Sequence, residues 1–340
     1  MTASNSQPLR IGIVGASTLR GKEIAQVLED RPLRVPIEEL RLIDDPGMSG
    51  VLTDAGGEPA IIHGFDQESL EGLRIIFFAC EEAFAARQWA AAERAGAAVV
   101  DLSGALAVVR SASHSIPALD EAHSPAAPAG TRLFYSPGAP SIVSCTVASR
   151  LRSFRVQRIS AVFFQPVSEN GPAGVEELEA QTVKLLSFQP IAQEVFDTQV
   201  AFNLLDRYGE ASRVRLEDAR AAVARDTAKY LGGRLPVPAI QLIQAPIFYG
   251  VAFSFFVEFE QPYSPEEITT ALQGTGVNVS KPGETAPTNV SVAGSREISL
   301  SPVVRDPNVE CGYWLWGAVD NIRLAADNAA RIAENILATP

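Results

Sequence analysis

A short apolar strand that runs straight into glycine constrains this chain more than any other feature. Leu9–Val14 (LRIGIV) is followed at once by Gly15-Ala16-Ser17-Thr18-Leu19-Arg20-Gly21 and then by a helical pattern over Lys22–Glu29. A glycine-rich turn between a buried strand and a helix places backbone N–H groups and a helix N-terminus where a pyrophosphate can sit. Gly15 and Gly21 keep the outer spacing of G-x-x-G-x-x-G, but Thr18 stands where a middle glycine is wanted. Its Cβ falls where backbone should approach phosphate closely, so the turn is a weakened copy of the dinucleotide motif. The reading in which these glycines serve strand–helix packing alone stays open.

Four more strands follow the same grammar: Glu39–Ile43, Arg74–Ala79, Ala97–Leu102 and Arg132–Tyr135, with a helix over Glu82–Ala95. Strands alternating with helices across short loops predict an α/β, Rossmann-type, doubly wound parallel sheet with right-handed crossovers. The loop from Ser111 to Gly130, rich in Pro, Ala and Ser, is expected to carry little regular structure. Beyond Leu151 the texture changes. Ile159–Phe164, Ala245–Glu260 and Val292–Val304 read as long strands, and Val175–Leu186 and Arg215–Leu231 as helices. That order predicts an α+β domain with a mixed or antiparallel sheet. A chain of 340 residues exceeds what one core usually fills. We therefore expect a dinucleotide-binding-like domain over residues 1–140 and a second domain over 141–320. The helical pattern Ala318–Leu337 ends the chain, with 321–340 packing back on the first domain.

Charge and cysteine usage narrow the classes. A net charge of −12 leaves no basic surplus to neutralise phosphates, so neither nucleic acid nor an anionic membrane surface is an expected partner. The polar start MTASNSQPLR has no apolar h-region, and the longest apolar run, Ala245–Val257, is too short to span a bilayer, so a cytoplasmic protein is expected. Cys80, Cys145 and Cys311 are widely spaced and far in sequence from His63, His114 and His123. No zinc site or disulfide framework is expected, and the thiols read as buried and inert. His114 and His123 lie in the Pro/Ala-rich loop and read as exposed rather than catalytic.

The stretch Phe134–Leu151 (FYSPGAPSIVSCTVASRL) has the layout of an active-site approach: a strand ending at Tyr135, a turn, and a helix opening at Ser141. Such a layout aims a nucleophile at a substrate from a helix N-terminus, where the dipole would activate it. The tip here reads Gly138-Ala139-Pro140, which offers no nucleophile.

Several motifs together resemble the aspartate-semialdehyde dehydrogenases. IVGASTLRG resembles the VGATGAVG opening of that family, VVDLSGA its VIDNSSAFR, SPGAPS its NPNCST and FFQPVSENG its YQAVSGAG. AFNLLD is similar to FN-x-x-P and APIFYG to RVPVxxGH. The tail GAVDNIRLAADNAARIAENIL keeps register with DNLRKGAALNAVQIAE, the most specific stretch of all. The resemblance implies a glyceraldehyde-3-phosphate-dehydrogenase-like fold. It also implies an acyl-enzyme mechanism whose cysteine falls on Ala139, whose histidine falls on Val251 and whose substrate arginine falls on Gln244. The phosphate-binding arginine of VIDNSSAFR falls on Ala107, and only Gln165, which orients the acyl intermediate, is kept. Cys145 is no substitute nucleophile, because six helical residues carry it roughly 9 Å along the axis. Ser136 and Ser141 are nearer but lack a base.

For a dinucleotide, the resemblance points to Gly15, Ser17, Thr18, Leu19, Gly21, Asp44 and Asn321. Family members that use NADP carry Ser-Arg-Ser after the second strand, whereas this chain has Asp44-Asp45-Pro46-Gly47. Two carboxylates repel a 2′-phosphate, so NAD is favoured over NADP if either binds; a merely solvated turn stays open. Glu81 and Glu82 read as favourable at a helix start. In the family the second domain's sheet forms a homodimer interface, which makes Ser254–Glu260 (SFFVEFE) the candidate interface strand. In Gly312–Asn321 (GYWLWGAVDN) alternation turns one ring to the core.

The expected function is therefore that of a homologue without the family's phosphorylating dehydrogenase activity, similar to the Usg-type members that lack the catalytic cysteine, with a binding or regulatory role. Two alternatives stay open: an oxidoreductase of altered chemistry acting on an aldehyde or carbonyl with NAD(P), and an interaction subunit of an active dehydrogenase.

Overall fold

The computed structural model describes residues 8–55, 58–119 and 130–338. The first seven residues and residues 120–129 of the Pro/Ala-rich loop, His123 among them, lie outside the described residues. The chain forms two compact units, Met1–Pro137 with Ala325–Pro340, and Gly138–Leu324.

In the first unit, the strands that lead the sequence in apolar content occupy the middle of the sheet. The elements are β1 (Leu9–Val14), α1 (Leu19–Asp30), β2 (Ile37–Asp44), β3 (Leu52–Ala55), β4 (Glu58–Ile61) and β5 (His63–Gly64). After them come β6 (Ile75–Phe78), α2 (Glu82–Arg94), β7 (Ala98–Asp101), β8 (Ser113–His114) and β9 (Leu133–Tyr135). The large sheet runs β5-β2-β1-β6-β7-β9-β8 with every pairing parallel, the doubly wound arrangement expected. Because side chains alternate along a strand, β6 sends Phe77 into one core and Phe78 into the other. The first core also holds Ile11, Ile13 and Val27, closed by Ala329 and Ala333 from the last helix.

Several boundaries differ from the sequence expectation. Helix α1 opens at Leu19, not Lys22, because Thr18 is its N-cap and its Oγ1 accepts from Gly21 N at 2.9 Å. The β3–β4 hairpin carries no strong alternation and was not anticipated. In the loop expected to be irregular, β8 forms and residues 117–119 are helical. Asn328 ties that segment down, donating to Ser115 O at 3.1 Å and to Ser136 Oγ at 2.8 Å.

The second unit contains α3 (Ala139–Arg150), β10 (Val156–Gln165), α4 (Gly171–Leu186), α5 (Leu216–Leu231), β11 (Ala239–Gln244) and β12 (Val251–Phe259). It continues with α6 (Pro265–Leu272), β13 (Val277–Val279), β14 (Ile298–Leu300), β15 (Val304–Arg305) and β16 (Gly312–Val319). The last helix, α7 (Asn321–Ala338), starts here and continues in the first unit. The sheet is mixed, in the order β11-β10-β12-β16-β14-β13, with β15 paired to β16. Strands β10 and β11 are parallel; β12 is antiparallel to both β10 and β16.

Ala245–Glu260 is not one strand. Pro246 offers no N–H to a ladder, and Gly250 at φ 81° turns the chain back so that it re-enters as β12. Pro302 likewise splits Val292–Val304, leaving only β14 and β15. Helix α3 opens at Ala139, two residues before Ser141, because proline is well tolerated in a first turn. One ring of β16 does face the core: Tyr313 is buried, whereas Trp314 and Trp316 are exposed on the other face. Their neighbours across the sheet are Phe256 and Phe164, with ring centroids 5.0 and 6.4 Å away. Of the three thiols only Cys145 is buried; Cys80 and Cys311 are half-exposed, since each sits beyond the end of a strand. Among the described residues no helix is long and apolar enough to cross a membrane, and no His/Cys/Asp/Glu group could hold a metal ion.

Candidate functional site

The glycine turn of the first unit is shaped by backbone contacts and closed by two side chains, Thr18 and Asp44. Gly15 N and Ala16 N both donate to Ile43 O, at 2.9 and 3.2 Å, which fastens the turn to β2. Gly15 sits at φ 88°, and a Cβ there would lie 2.6 Å from Cys80 N. A Cβ on Gly21 would lie 2.1 Å from Gly15 O. Both positions demand glycine for the turn to close on itself. Thr18 does not obstruct the turn. Its hydroxyl lies 2.8 Å from Gly15 O and 3.0 Å from Ala79 O while capping Gly21 N, so it spends a helix donor that a phosphate would otherwise use.

Asp44 completes this turn. One carboxylate oxygen accepts from Ser17 N at 2.8 Å and the other from Asp45 N at 2.9 Å, with the side chain buried. Asp45 is exposed and closes a small turn of its own onto Gly47 N at 3.0 Å. Beside the turn, burial pushes the Cys80 thiol up to about 12, and the charge of Asp101 adds to the shift, so Cys80 is a poor nucleophile. Asp101 is itself held above the usual carboxyl value by burial, against the pull of bonds from Leu106 N and Ser103. Ala107 is buried, and its carbonyl meets His114 Nε2 at 3.1 Å. His114 is half-buried against Tyr135, edge-on at 4.7 Å, rather than exposed as expected; β8 pairing draws it in.

In the second unit the matched catalytic positions gather at strand ends and at one helix head. Helix α3 is capped by Gly138, which has no side chain to contribute, and Pro140 follows Ala139 in its first turn. Ser141 N and Ile142 N both bond Gly138 O, at 3.0 and 3.1 Å. Proline has no N–H, so position 140 offers no backbone donor to this turn. Ala139 is 1% exposed and presents only a methyl group. Gln165 and Gln244 are register partners at the ends of β10 and β11. Val251 opens β12 fully buried, opposite Val319.

Gln244 is 0% exposed, and its amide is fully engaged. Its Nε2 donates to Gln165 O at 2.9 Å and Ala245 O at 2.8 Å, and its Oε1 accepts from the Tyr208 hydroxyl at 2.7 Å. Burial pushes the Tyr208 phenol up to about 12, with the charges of Glu169 and Glu217 adding. The phenol therefore stays a neutral donor into Gln244 near neutral pH.

Sequence reading did not find Tyr208, because it lies in an irregular segment with no periodicity. Two residues of α4 hold that segment: Gln181 accepts from Val200 N at 2.8 Å, and Glu177 from Val195 N at 2.5 Å. Glu177 and Gln181 were also missed; their i, i+4 spacing on a helix was the available signal. Asn321 is bound within the second unit, accepting from Gly250 N at 3.0 Å and donating to Ser168 Oγ at 3.2 Å and Glu169 Oε1 at 2.8 Å. Both amide hydrogens are thus spent on the segment that links β10 to α4, and the amide oxygen on the loop that enters β12.

Comparison with known proteins agrees with this geometry. Residues 10–127 match the model "Semialdehyde dehydrogenase, NAD binding domain", and residues 150–324 match "Semialdehyde dehydrogenase, dimerisation domain". The "USG-1 protein homolog" of Azotobacter vinelandii is 27% identical over 340 residues, covering 98% of each chain. "Aspartate-semialdehyde dehydrogenase 2" of Vibrio cholerae is 26% identical over 336 residues, 97% of this chain and 98% of that one. A solved structure described as a probable aspartate-semialdehyde dehydrogenase from Pseudomonas aeruginosa superposes with a TM-score of 0.86 at 27% identity, covering 98% of this chain and 99% of that one. The chain belongs to the semialdehyde dehydrogenase family.

Proposed function

We propose that this chain keeps the family's scaffold without its phosphorylating dehydrogenation, and acts in the cytoplasm as a homodimeric binding or regulatory protein. One observation carries the reading. Gln244, matched to the substrate arginine, is sealed from solvent with its amide committed to Tyr208, Gln165 and Ala245. An anionic substrate would meet no cation there, and exposing that amide would break three buried hydrogen bonds. The helix head supports the same reading, since Ala139 has no lone pair to attack a carbonyl and Pro140 no N–H to steady an oxyanion. Restoring a cysteine alone would leave the charge site and the donor missing.

A dinucleotide remains a fitting ligand of the first unit, because the glycine turn and its helix are in place. NAD is favoured over NADP, since Asp44 and Asp45 stand at the end of β2, where a 2′-phosphate would be repelled. The dimer reading rests on the dimerisation-domain match and on the aromatic outer face of the β12–β16 sheet. The test is an absorbance assay of the purified protein with aspartate semialdehyde, phosphate and NAD or NADP, beside calorimetry for each dinucleotide. No reduction and a measurable heat with NAD alone are expected; phosphate-dependent reduction overturns the proposal.

A further inference from the structure

The first turn of helix α1 breaks a local rule. A helix N-terminus carries partial positive charge and favours Asp or Glu beside it. Helix α1 has no acidic residue in its first turn and opens with Leu19-Arg20-Gly21-Lys22 instead. Two cations against the positive end of a helix destabilise it unless an anion lies there, and such conflicts collect at functional sites.

The turn in front of this helix adds a second reason for a cation. Its backbone donors are largely committed within the unit: Gly15 N and Ala16 N to Ile43 O, Thr18 N to Gly15 O, Ser17 N to Asp44 and Gly21 N to the Thr18 hydroxyl. An incoming phosphate therefore finds fewer N–H groups than a glycine-rich turn ordinarily offers. Nearby carboxylates oppose it as well. Burial first, then the charges of Asp101, Asp44 and Glu81, push up the thiol of Cys80 beyond the end of β6.

Arg20 is placed to answer both. Its Nη1 donates to Leu102 O at 3.2 Å, just past the end of β7, and the residue is half-buried. The strands run in the order β2-β1-β6-β7, so a side chain that leaves the turn after β1 and ends at β7 crosses the carboxyl end of β6. That is the crevice in which open α/β sheets bind ligands, where the strand order reverses. A bond to a carbonyl orients the guanidinium without neutralising it, and its planar fork suits phosphate oxygens. Asp44 ends β2 on the other side of β1, so Arg20 is remote from the place where a 2′-phosphate is read.

We propose that Arg20 is the pyrophosphate-binding cation of this site, holding the bridge common to NAD and ADP-ribose in place of the donors the turn has committed. The inference rests on the dinucleotide reading and goes beyond it, by naming the side chain that carries the charge recognition.

Calorimetry of the full chain with NAD and with ADP-ribose tests it, with circular dichroism as the folding control. Arg20→Gln should weaken both ligands about tenfold or more, the size of a lost charge-assisted hydrogen bond. Arg20→Met, which keeps the aliphatic stem, should do the same. Arg20→Lys keeps the charge but not the fork and should lose about threefold. Added salt should weaken NAD binding in the parent and much less in the two neutral variants, a readout that a merely structural tie to β7 would not move. Unchanged Kd values in the folded neutral variants, or weaker ones that keep the parent's salt dependence, overturn the role of Arg20 while the dinucleotide reading stands. A parent chain that binds neither ligand overturns both.

Discussion

The glycine turn and the Gln244 cluster hold their residues by different means. In the turn, backbone sets the shape and side chains close it: Gly15 and Ala16 bond Ile43, the glycines at 15 and 21 are fixed by collision distances to neighbouring main chain, and Thr18 and Asp44 bond the backbone around them. In the cluster one neutral side chain holds the arrangement: the Gln244 amide accepts from the Tyr208 hydroxyl and donates to the backbone carbonyls of Gln165 and Ala245. A site made of backbone survives changes of side chain, whereas a site made of titrating groups keeps its shape but not its chemistry when those groups change. On the reading proposed here, that is why the chain retains a place for a dinucleotide but not for an acyl transfer.

The sharpest way to break the comparison is at the turn. Gly21→Ala puts a Cβ 2.1 Å from Gly15 O, a backbone atom that has nowhere to go. It should cost about 3 kcal/mol or more by urea denaturation, an effect of the size seen for severe overpacking. A loss under 1 kcal/mol (about the scatter of a surface change) would show that the turn is not held as described.

Gln244→Arg comes next. It forces a cation into a site with 0% exposure and no carboxylate bonded to it, and should cost about 3 kcal/mol. Were the variant as stable as the parent and able to bind a small carboxylate, the cluster would be an open anion site rather than a filled one.

A smaller effect is expected at Tyr208. Tyr208→Phe removes the hydroxyl that donates to Gln244 at 2.7 Å and should cost about 1 kcal/mol. It also carries a pH signature. The folded phenol ionises near 12 against an ordinary 10.0, so its contribution is fully present below pH 10 and is lost as pH rises towards 12. Absorbance at alkaline pH should show a late-titrating tyrosine in the parent that the variant lacks.

The mildest change is Asp44→Asn, which removes one of the two backbone bonds at 2.8 and 2.9 Å and should cost about 1 kcal/mol. Any heat of binding with NAD should fall with it, because the turn that presents the helix N-terminus is loosened.

Much of this was legible in the amino-acid sequence, for a physical reason. β1, β6 and β7 are buried on both faces apart from the half-buried Arg10, so they read as short, mainly apolar words, and the parallel sheet follows from their spacing. What could not be read depended on partners far along the chain. Gln244 reads as a plain strand residue until Tyr208, 36 positions away in an irregular segment, is seen to fill its acceptor. The start of α1 was missed because Thr18 was weighed as an obstacle to phosphate and not as a cap. The break between β11 and β12 was signalled by Pro246 and Gly250, but the apolar run around them hid it.

The central claim is that no side chain of the second unit captures an acyl group. Intact-mass spectrometry after incubation with aspartate semialdehyde and NAD or NADP tests it most directly, on the parent chain and on Ala139→Cys. The account predicts an unmodified parent mass, and no phosphate-dependent turnover in the variant, because Gln244 and Pro140 still deny it a substrate cation and a donor. An adduct on the parent that maps to a residue between Gly138 and Val251, or turnover restored by the cysteine alone, would contradict it.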